Sequence, residues 1–222
     1  MTNQAKIKEI FTSIQGEGPY VGKKQLFIRF CGCNLACKYC DTEFDSNDSH
    51  TYSVEELSKI VEDNLDCHSV SLTGGEPLLH SEFLKVFLPK CSLPVYLETN
   101  ATLVDNLAEI INYVDYISAD IKLPSSTGLE PLWDEHNDFF AKAGGKKLFA
   151  KVVFNKNITD GEIEKSVELA DKYGIELILQ PEWNSEGTML DTDFPERILN
   201  AYLTKYKNVR LIPQVHKFLN LR

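Results

Sequence analysis

The chain has 222 residues, 43% of them hydrophobic, enough for a single domain (1–222) with its own core. Twenty-three Lys and Arg stand against 33 Asp and Glu, a formal charge of −10 that argues against direct binding of nucleic acid. No stretch approaches the roughly 20 apolar residues of a membrane span, and the first residues lack the apolar run of a signal peptide. A soluble, cytoplasmic protein without membrane association is therefore expected.

In chain order, residues 6–11 alternate as a short strand and 25–30 form a second, which runs directly into a cysteine-rich segment. Ser53 and Glu56 make a capping box that opens a helix to about residue 64. Strands then follow at 70–73, 95–98, 116–119, 148–154, 175–179 and 209–212. Between them, helices are expected from Pro77 to about residue 88 and over 105–113, 133–142, 159–174 and 192–206, with a loop over 125–132. Alternating strands and helices predict an α/β fold with a mostly parallel sheet. A doubly wound sheet would carry a glycine-rich phosphate turn after its first strand, whereas here a cysteine loop follows and later strands end in polar residues. An incomplete TIM-like barrel of about six parallel strands fits better, because a full barrel needs about 250 residues and gathers its strand ends at one mouth.

Four of the six cysteines fall within Cys31-Gly-Cys33-Asn-Leu-Ala-Cys37-Lys-Tyr-Cys40. In a reducing compartment such a group reads as metal ligands sooner than as disulfides. Cys33, Cys37 and Cys40, spaced C-x3-C-x2-C, suit three irons of a cubane cluster and leave the fourth open to a small molecule. A closed zinc site is the alternative, but no second cysteine or histidine pair follows. An iron–sulfur electron carrier would need Cys31 as fourth ligand. Cys67 and Cys91 read as ordinary buried or half-buried thiols.

With Tyr39 before the third cysteine and Gly74-Gly75-Glu76-Pro77 after the next strand, this loop resembles the radical S-adenosylmethionine superfamily across the whole strand–helix pattern. That resemblance implies a 4Fe-4S cluster on Cys33, Cys37 and Cys40, with S-adenosylmethionine on the open iron and one-electron cleavage of its sulfonium to a 5′-deoxyadenosyl radical. Tyr39, Cys40, Asp41, Gly75, Glu76, Glu98, Asp120, Lys122 and Gln180 become the expected cofactor contacts. Gly74 and Gly75 would let backbone approach the ligand, and Glu76 would accept from its ammonium or hold the loop. Asp120-Ile121 departs from the Ser-Pro expected there.

Ile14-Gln15-Gly16-Glu17-Gly18, Arg29, Asp41-Thr42 and Pro213-Gln-Val-His216 together resemble the 7-carboxy-7-deazaguanine synthase family over essentially the full length. A glycyl-radical-enzyme activase, similar in size and cysteine spacing, would not explain the first and last of these segments. The resemblance implies ring contraction of 6-carboxy-5,6,7,8-tetrahydropterin to 7-carboxy-7-deazaguanine with loss of ammonia, a lyase step toward queuosine and other 7-deazapurines. S-adenosylmethionine would be regenerated each turnover, and no protein residue would be catalytic beyond the cofactor-generated radical. Ile14, Gln15, Gly16 and Glu17 would read the pterin edge, Arg29 its carboxylate, and Thr73, His216 and Arg222 further parts of the substrate. Thr42 would ligate Mg2+. A flavodoxin or ferredoxin electron donor and a homodimer are also implied.

Overall fold

The structure is a computed structural model that describes residues 3–40, 47–183 and 193–221. Its strands are β1 (Gln4–Ile14), β2 (Lys24–Phe30), β3 (His50–Ser53), β4 (Ser69–Gly74), β5 (Val95–Thr99), β6 (Tyr116–Ile121), β7 (Lys147–Phe154), β8 (Glu176–Pro181) and β9 (Val209–Leu211). The helices are α1 (Val54–Glu62), α2 (Ser81–Phe87), α3 (Val104–Ile110), α4 (Pro124–Thr127), α5 (Trp133–Ala143), α6 (Asp160–Tyr173), α7 (Asp193–Leu203) and α8 (Val215–Phe218). All nine strands form one sheet, ordered β3-β1-β2-β4-β5-β6-β7-β8-β9. From β2 to β9 every pairing is parallel. β1 pairs antiparallel with both β2 and β3. The parallel part thus has seven strands against about six expected, the last being the three-residue β9. No helix of the described residues is long and apolar enough to cross a membrane.

The sheet is open but strongly bowed. Seven strand spacings separate β1 from β9, about 34 Å if the sheet were flat. Yet the Val215 N–H, just beyond β9, donates to the Gly16 carbonyl, just beyond β1, at 2.9 Å. The strands therefore wrap into a trough whose two rims meet at one end, the geometry of an incomplete barrel.

Alternation along each strand sorts the two faces. Leu26, Ile28, Phe30, Val70, Leu72, Leu97, Ile117, Ala119, Ala150, Val152, Phe154, Leu177 and Leu179 face outward and are buried in the main core under the helices. On the inner face Tyr96, Phe149 and Ile178 form an apolar floor, plugged by Tyr20 from the β1–β2 connection. Tyr20 meets Tyr96 and Tyr116 edge-on, with centroids 5.5 and 4.8 Å away. Above that floor the inward positions turn polar, with Ser71, Glu98, Lys151 and Gln180 facing the trough.

Both expected capping boxes form, Ser53 with Glu56 on α1 and Thr159 with Glu162 on α6, and Gly174 ends α6 in the left-handed region at φ 65°. β3, α4 and α8 are additions to the sequence-based expectation. β3 is a short polar edge strand with two exposed residues, so it lacks an apolar alternation to betray it. α4 is a single turn that overlaps the start of the expected 125–132 loop, ended by Gly128 at φ 71°.

Candidate active site

The mouth of the trough is a cavity of about 740 Å³, lined by the ends of β1, β2 and β4–β8 and by the segment after β9. Cys33, Cys37 and Cys40 line one wall. Their loop leaves β2 through Gly32 at φ 85° and is pinned from two sides: the Glu76 N–H donates to the Gly32 carbonyl at 2.8 Å, and the Lys38 N–H to the Thr127 carbonyl at 2.9 Å. The Lys38 side chain lies over Gly128, whose φ of 71° already favours glycine. Cys33 Sγ accepts from the Leu35 N–H at 3.4 Å and from Asn100 Nδ2 at 3.9 Å. Burial raises the Cys33 and Cys37 thiols above the usual cysteine range. Three thiols on one loop, open to one cavity and with N–H donors aimed at sulfur, fit a cubane cluster whose charge those donors would temper. Cys31 is buried outside the cavity lining, and its carbonyl meets His80 Nε2 at 2.8 Å.

The Gly-Gly-Glu-Pro turn serves the loop's architecture more directly than expected. Gly74 (φ 132°) lies against the Phe30 backbone, and a Cβ there would overlap its carbonyl, so close packing of the strand end requires this glycine, which also lines the cavity. Glu76 holds the loop in this structure. It is fully buried and absent from the cavity wall; its carboxylate accepts from the Leu78 N–H (3.0 Å), Thr99 Oγ1 (2.9 Å) and the Asn100 N–H (2.7 Å). Burial pushes its pKa up to about 7 against those three hydrogen bonds.

From the cysteine loop a chain of alternating charge crosses the trough. Lys122 Nζ donates to the Tyr39 hydroxyl at 3.0 Å and to Asp120 Oδ2 at 2.7 Å. Asp120 Oδ1 lies 3.3 Å from Lys151 Nζ, which is ion-paired in turn with Glu17 Oε2. Burial alone would lower the lysines, but the flanking carboxylates outweigh it and hold both above the usual lysine range. Burial would likewise raise Glu17, but Lys151 and the Gln214 amide dominate and bring its pKa down to about 2. Glu17 Oε1 accepts from Gln214 Nε2 at 2.8 Å and Gln180 Nε2 at 3.3 Å. Because an ionised carboxylate only accepts, Gln180 must turn its amino group to Glu17; its Oε1 is left buried with no donor among the described residues.

The remaining expected substrate contacts differ in availability. Gln15 spends both amino protons on Gln25 Oε1 (3.0 Å) and Glu98 Oε1 (2.9 Å), so its side chain braces the trough. Glu98 also accepts from Ser71 Oγ and Thr73 Oγ1, which ties Thr73 to the same cluster. Arg29 Nε donates to Glu9 Oε1 at 2.6 Å with the guanidinium on the cavity wall. Ile14, Gly16, Gly75 and His216 line the cavity too. Asp41, Thr42 and Arg222 lie outside the described residues.

Sequence reasoning missed Lys151, Glu9 and His136. Lys151 had a signal: it is the one charged residue inside the run Leu148–Phe154, which otherwise reads as a buried parallel strand. His136 accepts the Lys122 N–H through Nε2 at 3.0 Å and faces the Ala101 carbonyl with Nδ1 at 3.2 Å, clamping the exits of β5 and β6.

Residues 27–186 match the Radical SAM superfamily. The 7-carboxy-7-deazaguanine synthase of Geobacter sulfurreducens is 37% identical, with 97% of each chain covered. That of Methanothermobacter thermautotrophicus is 34% identical over 99% of this chain and 98% of its own. Among solved structures, QueE from Escherichia coli is alike in fold at a TM-score of 0.66 and 21% identity, covering 96% of this chain and 95% of that one. Streptococcus suis SuiB bound to S-adenosylmethionine reaches 0.57 at 20% identity over 82% of this chain and 44% of its own.

Proposed function

Because the chain belongs to the radical SAM superfamily and, within it, to the 7-carboxy-7-deazaguanine synthase family, we propose that it contracts the ring of 6-carboxy-5,6,7,8-tetrahydropterin to 7-carboxy-7-deazaguanine with loss of ammonia. One observation carries the assignment to this cavity: the three cysteines, Glu17 and Gln180 line the same space. When bound, a 4Fe-4S cluster on Cys33, Cys37 and Cys40 and S-adenosylmethionine supply the radical that starts the reaction.

The chain's own residues bind, orient and exclude water. Glu17 and Gln180, the latter in place of the cofactor contact expected of it, offer adjacent acceptors to the amino-pyrimidinone edge, whose neighbouring N–H groups are donors. Arg29 supplies the cation for the substrate carboxylate, its Nε already steered by Glu9. Tyr39, Asp120 and Lys122 form the cofactor side, and the aromatic floor under the trough keeps water from the reacting face. Residues 1–222 act as one domain whose two ends complete the substrate side through Gly16, Glu17 and His216. Thr42 would ligate Mg2+, and an electron donor of flavodoxin or ferredoxin type and a homodimer complete the assignment.

Anaerobic incubation of the reconstituted protein with the carboxypterin, S-adenosylmethionine, a reductant and Mg2+ tests it, with product identified by mass. Formation of the deazaguanine and a matching loss of ammonia are expected. A protein that cleaves S-adenosylmethionine yet leaves the pterin unchanged would refute the substrate assignment.

A further inference from the structure

We propose that Lys151 is a positioning residue for this reaction, one that seats the Glu17 carboxylate as an anion beside Gln180 Oε1 so that the two form a matched acceptor pair for adjacent N–H donors. The inference rests on the pterin assignment above and adds to it a residue of the cavity wall whose ion-pair partners are Glu17 and Asp120.

Geometry singles out Lys151. It stands mid-strand on β7, 8% exposed, between Ala150 and Val152, which face the main core, so its own side chain can only enter the trough. There it meets two carboxylates from distant parts of the chain, Glu17 from the β1–β2 connection and Asp120 from β6. Asp120 already has Lys122 at 2.7 Å; Glu17 has no other lysine or arginine among its described partners. The groups that face Glu17 are Lys151 from β7, Gln180 from β8, and Gln214 and His216 after β9, while Glu98 and Asp120 lie beyond Lys151. With Lys151 gone, burial of a carboxylate among amides favours its protonated form. A protonated Glu17 carries a donor where the substrate edge presents donors. It would also free the Gln180 amide to flip, since only the anion fixes which end of that amide faces it.

The test is steady-state kinetics of Lys151→Met and Lys151→Gln across about pH 6 to 9, combined with Glu17→Gln in a double-mutant cycle. Lys151→Met should raise KM for the carboxypterin about 10-fold or more near neutral pH and recover toward wild type as rising pH ionises Glu17. The change that S-adenosylmethionine binding causes in the cluster's electron paramagnetic resonance spectrum should persist. Glu17→Gln should cost about 10-fold alone but less than about 2-fold on top of Lys151→Met. Lys151→Gln, which keeps a polar side chain in the trough, carries the same test if Lys151→Met does not fold. An unchanged KM, a loss that does not vary with pH, or additive losses in the cycle would overturn the proposal. Wild-type protein that forms no deazaguanine would instead refute the functional assignment, so the two failures are distinct.

Discussion

Gly16 packs directly against His216, so closely that a Cβ on Gly16 would overlap the imidazole and lie 2.7 Å from the His216 Cβ and backbone nitrogen. The same pair of segments is joined by the Val215 N–H to Gly16 carbonyl bond at 2.9 Å. Gly16 follows the antiparallel β1 and His216 follows β9, so their contact is where the bowed sheet brings its two sides together over the cavity.

Gly16→Ala should therefore displace the C-terminal segment rather than unfold the protein. The main core lies on the opposite face of the sheet and does not involve either residue. A rise in KM for the pterin of about 10-fold is expected, with a stability loss of about 1 kcal/mol or less and unaltered iron content. Kinetics alongside thermal unfolding check this; a large loss of stability with unchanged KM would contradict it.

His136 predicts an acid-sensitive step in stability. Fully buried, it accepts the Lys122 N–H on Nε2, so the proton sits on Nδ1, toward the Ala101 carbonyl. Burial, chiefly, lowers its pKa from 6.5 to about 4. Between those two values the unfolded chain binds a proton that the folded protein refuses, so stability falls as pH drops through this window. The contribution is on the order of 3 kcal/mol, complete above pH 6.5 and spent near pH 4. Denaturant unfolding at stepped pH should show a steeper fall in wild type than in His136→Gln. Equal slopes would sink the prediction.

Much of this architecture is legible in the sequence because buried parallel strands are apolar runs with polar ends. Leu148–Phe154 and Val70–Thr73 could be placed on that basis, and the two capping boxes marked α1 and α6. What could not be read is direction and partnership. Glu76 follows two glycines in a segment that suggests ligand contact, yet it turns inward because the backbone donors of Leu78 and Asn100 converge on it. Arg29 and Glu9 are 20 residues apart and meet only through the antiparallel register that pairs Glu9 with Arg29. Lys151 stands out by charge, but its partner Glu17 lies 134 residues away, a distance closed only by the bowing of the sheet.

Glu76→Gln should loosen the turn that braces the cysteine loop. In either protonation state a glutamate side chain offers both oxygens as acceptors, whereas glutamine must set its amino group against one of three donors. An unsatisfied buried donor costs about 1–3 kcal/mol. The sign with pH is opposite to that of His136. A carboxyl raised from 4.5 to about 7 contributes stability fully below pH 4.5 and loses it as pH rises through 7. The deficit of Glu76→Gln relative to wild type should therefore be largest in mild acid and shrink above pH 7. Chemical unfolding at about pH 5.5 and 8.5 measures it, and a deficit that grows with pH would contradict the protonation assigned to Glu76.

The four clustered cysteines should separate cleanly by iron content. Cys33, Cys37 and Cys40 open on the cavity, whereas Cys31 is 7% exposed and outside the cavity lining. Replacing any one of the first three by Ala should abolish retention of a 4Fe-4S cluster, since each would remove one of only three protein thiolates. Cys31→Ser should keep its iron and sulfide and lose about 1–3 kcal/mol of stability, from placing a hydroxyl where a thiol packed as a small hydrophobe. Iron and acid-labile sulfide assays after anaerobic reconstitution distinguish the two groups. If Cys31→Ser lost its cluster like the other three, Cys31 would be a fourth ligand, no iron would be open to S-adenosylmethionine, and the cavity could not support radical chemistry in the manner proposed.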